Sequence, residues 1–187
     1  MTAEEKFLSH RRRYQPIALP HDFSDEEMAR DWTLSAADRQ EIGKYRKSSR
    51  LFIAVQLCAM RLYGRFLNDV SSLSPRIVSY LNGQLELPPT LGIQVPDREA
   101  TYLEHRKSIL NYLGFRKFES ASERDLQVWL EQEAQKGELP EALFSRAERY
   151  LLARKIMLPG SSVLERLIVS VCSKAHEQVF EIGRAHV

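Results

Sequence analysis

Apolar residues recur along this chain at the three- and four-residue spacing of helices, and no convincing run alternates as a strand would. Leu51, Ala54, Val55, Cys58 and Leu62 mark one helical face from about Ser49. Gly64 then sits where a helix C-cap belongs, and Ser74-Pro75 supplies an N-cap with proline at the first helical position. Upstream, Ser24 with Glu27 and Ser35 with Asp38 have capping-box spacing and open two short helices, the second running to about Tyr45. Helices near 75–85 and 97–113 flank the Pro88-Pro89 loop. Ser122 is read as the cap of a helix through Trp129 to Gly137, and Pro140 as the start of another through Met157. Pro159-Gly160 precedes a last helix over about 162–180. The pattern predicts an all-α fold of about eight helices.

A faint echo at an offset of fifty residues pairs Gly64 with Gly114 and Val78 with Val128. Each half reads as a long helix, a glycine stop, a basic-aromatic turn (Arg65-Phe66; Phe115-Arg116-Lys117-Phe118) and a second helix. The expected organisation is therefore tandem helix-turn-helix-like modules: a basic arm over 1–21, a first helical module over 22–94, a second over 95–180, and a tail over 181–187. Tandem readers suit a duplex target, because successive recognition helices fill successive major-groove segments.

Composition narrows the function. The 187 residues are 43% hydrophobic and 28% charged, enough for a real core. The apolar runs Leu51–Met60 and Leu164–Cys172 fall well short of the roughly 20 residues of a membrane span. The N-terminus MTAEEKFLSHRRRY lacks the apolar stretch of a secretory signal, so a cytoplasmic, nucleoid-associated protein is expected. Cys58 and Cys172 lie far apart in apolar stretches and read as buried thiols. The five histidines have no metal-ligand spacing. His105 reads as a packed side chain. No metal and no cofactor are expected, and no Walker loop, nucleophile elbow or dinucleotide fingerprint occurs.

The net charge of +2 hides an uneven distribution: residues 40–118 carry 12 Lys+Arg against 6 Asp+Glu, and the flanks together are acidic. A locally basic surface supports DNA binding through counterion release even in a near-neutral chain. Lys44, Arg46, Lys47 and Arg50 surround a helix start and suit phosphate positioning. Arg76, in the first turn of the expected recognition helix, suits bidentate readout of guanine. Arg106, Lys107, Arg116 and Lys117 are further phosphate candidates, Arg65 and Arg98 are further DNA-binding candidates, and the Arg11-Arg12-Arg13 arm could enter a minor groove.

The wording of the chain is more specific than its pattern. The runs EIGKYRKSSRLFIAVQLCAMRLYGRFL, REATYLEHRKSIL, GFRKF and KIMLPGSSVLERL resemble, in order and spacing, the N-terminal region of the Tn-three family of bacterial transposases. The resemblance implies double-stranded DNA as partner, in the form of transposon terminal inverted repeats, together with the rest of a transposase. It also implies a catalytic acidic triad on a domain beyond the matched region, so this stretch is expected to be non-catalytic and monomeric. Arg98 and His105 match the family pattern. Tyr102 and Leu103 depart from it, since members commonly carry arginines just before the histidine. The last residues, IGRAHV, can be written as the codons of a common sequencing adapter, so the tail from about Ile182 is expected to be non-native and the chain truncated. A helical module docking on the transposase body or on another copy is the alternative function.

Overall fold

A computed structural model describes residues 23–137 and 139–185, and the all-α expectation holds: eight helices and no strand among the described residues. They are α1 Asp25–Asp31, α2 Ala36–Gly43, α3 Lys47–Tyr63, α4 Pro75–Gln84, α5 Glu99–Leu113, α6 Ser120–Ala134, α7 Pro140–Ala153 and α8 Ser161–Ala185. The chain divides into two compact units between Phe115 and Arg116, so α1–α5 belong to one and α6–α8 to the other.

In the first unit α3 is the central element, and α2, α4 and α5 pack around it. Every residue from Leu51 to Met60 is buried and all but Gln56 are apolar, so this stretch of the helix is enclosed on all sides. Gly64, at φ 63, ends it, its N–H donating to the Met60 carbonyl at 3.0 Å. Both expected capping boxes form: Ser24 and Glu27 cap α1 and Ser35 and Asp38 cap α2, each reciprocally.

Asp38 does more than cap. Its buried carboxylate accepts from Arg61 Nη2 on α3 at 2.7 Å, from Tyr112 Oη on α5 at 2.9 Å and from the Ser35 N–H at 2.8 Å. Burial alone would raise its pKa, but these donors outweigh it and hold the carboxyl below the usual carboxylate range. One charged group thereby joins three helices.

Side-chain amides secure the connections. Gln56, buried in α3, donates to the Leu67 carbonyl at 2.8 Å and accepts from the Leu67 N–H at 2.9 Å. Gln84 brackets the α1–α2 link in the same way, donating to the Trp32 carbonyl at 3.0 Å and accepting from the Leu34 N–H at 2.7 Å. Asn82 donates to the Leu91 carbonyl at 3.0 Å. The α3–α4 connection from Gly64 to Ser74 is longer than the turn of about three or four residues in a simple helix-turn-helix.

The second unit has one apolar core, from Leu126 and Leu130 on α6, Leu143, Phe144, Ala147 and Leu151 on α7, Leu164, Ile168 and Val171 on α8, and Ile156 and Leu158 between them. Two boundaries differ from expectation. Glu119, not Ser122, is the α6 N-cap, and Ser122 is buried within the helix. Helix α7 stops at Ala153 instead of reaching Met157, because Lys155 turns left-handed at φ 54 and Ile156 drops into the core.

Candidate nucleic-acid interface

Four of the sequence candidates gather at the α2–α3 junction. Arg46 is the α3 N-cap and forms no side-chain capping bond; with Lys47 it is exposed at the start of a 17-residue helix whose first-turn N–H groups have no side-chain cap. An array of N–H groups and cations at a helix start is suited to an oxyanion. Lys44 is exposed but ion-paired with Glu41. Arg50 works internally: Nε donates to the Tyr45 carbonyl and Nη2 to the Gly43 carbonyl, both at 2.9 Å, fastening the junction. An open cleft of about 200 Å³ next to it is lined by Arg39, Gly43, Arg50, Gln84, Leu85 and Glu86.

Arg76 lies in the first turn of α4 as expected, yet its guanidinium reaches back to the start of the unit. Nη1 donates to the Phe23 carbonyl at 2.5 Å and Nη2 pairs with Asp25. The side chain keeps 52% of its surface exposed. Arg65 is half-buried just after the Gly64 stop. On α5, Arg98 is an exposed N-cap and Lys107 is exposed, whereas Arg106 is half-buried, its guanidinium 4.5 Å from the Phe66 ring centroid and 5.1 Å from that of Tyr102. The two departures from the family pattern separate here. Tyr102 packs on Phe52 at 5.8 Å and under Arg106, while Leu103 is 51% exposed. Arg11, Arg12 and Arg13 lie outside the described residues.

Arg116 and Lys117 open the second unit, both exposed. The segment carrying them pairs in parallel with the segment after α7: the Arg116 N–H donates to the Lys155 carbonyl and the Met157 N–H to the Arg116 carbonyl, each at 2.8 Å. Two motifs distant in sequence, GFRKF and KIMLPG, thus meet. Arg154 and Lys155, which the sequence reading passed over as helix interior, are exposed at that meeting point. The signal was there to find: a basic doublet directly before a core isoleucine and a Pro-Gly stop.

Other reactive groups are enclosed. Burial pushes the Cys58 thiol up to about 12, far from a usable thiolate, and Cys172 is a buried free thiol. His105 packs edge-on to Tyr45 at 5.3 Å and near Phe52 at 6.4 Å, and desolvation lowers its pKa against the opposing charge of Glu104. Among the described residues no group of three His, Cys, Asp or Glu is placed to hold a metal ion, and no helix is long and apolar enough to cross a membrane.

The fold and its surface define a class: an all-helical chain that presents cations at a helix start and at a paired loop. Residues 7–171 match the family described as "Domain of unknown function (DUF4158)", and the chain belongs to it. It is 30% identical to the transposase for transposon gamma-delta of Escherichia coli K12 over 84% of its length and 16% of that protein's. It is 28% identical to the transposase for transposon Tn501 of Pseudomonas aeruginosa, over 92% of this chain and 17% of the relative. For the transposase of Tn1546 from Enterococcus faecium the identity is 27%, over 94% and 18%. Its relatives are thus Tn-three-family transposases, as the resemblance implied, and the chain spans less than a fifth of their length.

Proposed function

We propose that this chain is the sequence-specific DNA-binding head of a transposase, recognising transposon terminal inverted repeats in duplex form, with no catalytic role of its own. The observation that carries the reading is the start of α3, where Arg46 and Lys47 stand exposed beside uncapped N–H groups in a chain whose relatives are transposases. These two fix the protein on the phosphate backbone, and Arg98 and Lys107 extend the contact along α5. Arg76 reads a base by exchanging its contacts with Asp25 and Phe23 for a guanine edge. The partners are duplex transposon ends and the remainder of the transposase, in the cytoplasm, and the isolated chain is a monomer.

The test is fluorescence anisotropy of the chain with a duplex terminal repeat and with a scrambled duplex, across a salt series. A preference for the repeat that survives physiological salt is expected. The double substitution Arg46→Gln/Lys47→Gln should weaken both duplexes alike and flatten the plot of log affinity against log salt by about 1.8. Equal, salt-labile binding to both duplexes would overturn sequence recognition and favour the docking alternative.

A further inference from the structure

The geometry points to a second phosphate-gripping surface, on α6–α8: Arg116, Lys117, Arg154 and Lys155 together hold the sugar-phosphate backbone of duplex DNA. The inference rests on the DNA-binding reading above and adds to it a separate contact, built by long-range pairing and not by a helix start.

The backbone places the four cations together. Neighbouring chain segments in a hydrogen-bonded ladder lie about 4.8 Å apart, and here two N–H···O bonds of 2.8 Å lock Arg116 against the Lys155–Met157 stretch. Ile156 and Leu158 on that stretch are buried in the core, so the pairing is anchored from below. All four basic residues remain exposed. The ion pairs described in this unit, Lys136 and Arg146 with Glu133 and Lys174 with Glu131, involve neither Arg116, Lys117 nor Arg154.

Two details suit an anion more than a purely structural turn. The Lys155 backbone is left-handed at φ 54, a conformation found otherwise, among the described residues, at Gly64, Gly114, Gly137 and Glu86. A long cation retained there keeps a charge beside the pairing at a conformational cost. Arg154 is also held in place. Its guanidinium lies 3.6 Å from the Tyr150 ring centroid, and Tyr150 stacks on Trp129 at 4.6 Å, with Arg146 5.7 Å from Trp129. A stacked guanidinium keeps N–H groups at its edge for a phosphate oxygen and loses less freedom on binding.

Four neighbouring cations match a polyanion with closely spaced charges, and the duplex backbone supplies one charge per about 1.7 Å of axis. They carry no base-reading geometry of their own, so they add affinity without sequence preference.

The test uses the full chain in the same anisotropy assay, with repeat and scrambled duplexes, comparing parent, Lys155→Gly and Arg116→Gln/Lys117→Gln. Lys155→Gly relieves the left-handed strain while deleting the charge. It should melt at or above the parent's temperature yet bind both duplexes more weakly, by one common factor, with the salt plot flattened by about 0.9. The double variant should flatten it by about 1.8. If the parent binds DNA and the variants keep its affinity and salt dependence, this surface is not a DNA contact, while the α3 reading stands. If Lys155→Gly changes the ratio between repeat and scrambled duplex, the phosphate assignment is overturned. If the parent binds neither duplex, the DNA-binding reading fails, and this inference with it.

Discussion

The first unit secures its connections with buried side-chain amides, whereas the second packs on one apolar core beside a buried carboxylate, Glu133, paired with Arg146 and Lys136, and the contrast follows from their connections. In the first, the chain runs without regular structure from Gly64 to Ser74 and from Leu85 to Arg98. Backbone groups in such stretches need partners wherever they are buried. Gln56, Asn82 and Gln84 provide them. The second unit has a shorter α6–α7 link and a paired segment after α7 whose Ile156 and Leu158 enter the apolar core. The difference does not follow net charge: residues 23–115 carry 12 Lys+Arg against 11 Asp+Glu, and residues 116–187 carry 11 against 11. Both units are near neutral, so any attraction to DNA comes from where the cations stand.

The largest effect should come from Arg61→Met. Arg61 is 40% exposed but its partner carboxylate is 1% exposed, so the substitution leaves the buried group of the pair without its cation. A loss of about 3–5 kcal/mol at neutral pH is expected in urea unfolding. Because the folded-state pKa of Asp38 is depressed, its stabilising contribution is present above the ordinary carboxylate range and is lost as pH falls through the lowered value. The gap between parent and Arg61→Met should therefore close in acid. A gap that stays constant down to acid pH would show that Asp38 is not the hub of this unit.

Leu126→Ala probes the other side of the comparison. Leu126 is 0% exposed at the centre of the second core, and its truncation should cost about 2–5 kcal/mol with no acid dependence. Hydrogen exchange should quicken in α6, α7 and α8. A substitution that costs much less would mean the cavity collapses and the core is looser than its packing implies.

Gln56→Met keeps the volume of a buried side chain but orphans the N–H and carbonyl of Leu67. About 1–3 kcal/mol should be lost, with exchange quickened chiefly around Leu67. An unaffected variant would show that water can replace the amide, and that the first unit's polar ties are not what secures its connections.

Local features were the readable part of this molecule. The capping serines Ser24, Ser35 and Ser74, the glycine stops Gly64 and Gly114, and Pro75 and Pro140 each act within about one helical turn, so a linear reading locates them. The buried face of α3 was equally plain. Contacts between residues far apart in sequence were not. The link from Arg76 to Phe23 and Asp25, and the pairing of Arg116 with Lys155, depend on tertiary packing that no local spacing encodes. For the candidate interface, the α2–α3 cations were legible as a group, but the internal use of Arg50 and the emergence of Arg154 and Lys155 were not.

The same limit explains the two non-glycine helix stops, and they offer the finest comparison of the units. Glu86 ends α4 at φ 53, with the Leu87 N–H donating to the Asn82 carbonyl at 3.0 Å; Lys155 ends α7 at φ 54, with the Ile156 N–H donating to the Leu151 carbonyl at 3.0 Å. In each case the next residue is a buried apolar one, Leu87 or Ile156, whose burial drives the backbone into a left-handed turn that its own residue type disfavours. Glu86→Gly should therefore raise stability by about 0.5–1 kcal/mol, visible as a higher midpoint in urea. It should also strengthen DNA binding slightly, since it removes a carboxylate from the cleft shared with Arg39 and Arg50. Lys155→Gly should stabilise similarly and weaken binding. If both glycine variants shift affinity in the same direction, the charge at these two stops is irrelevant to DNA and only the backbone conformation matters.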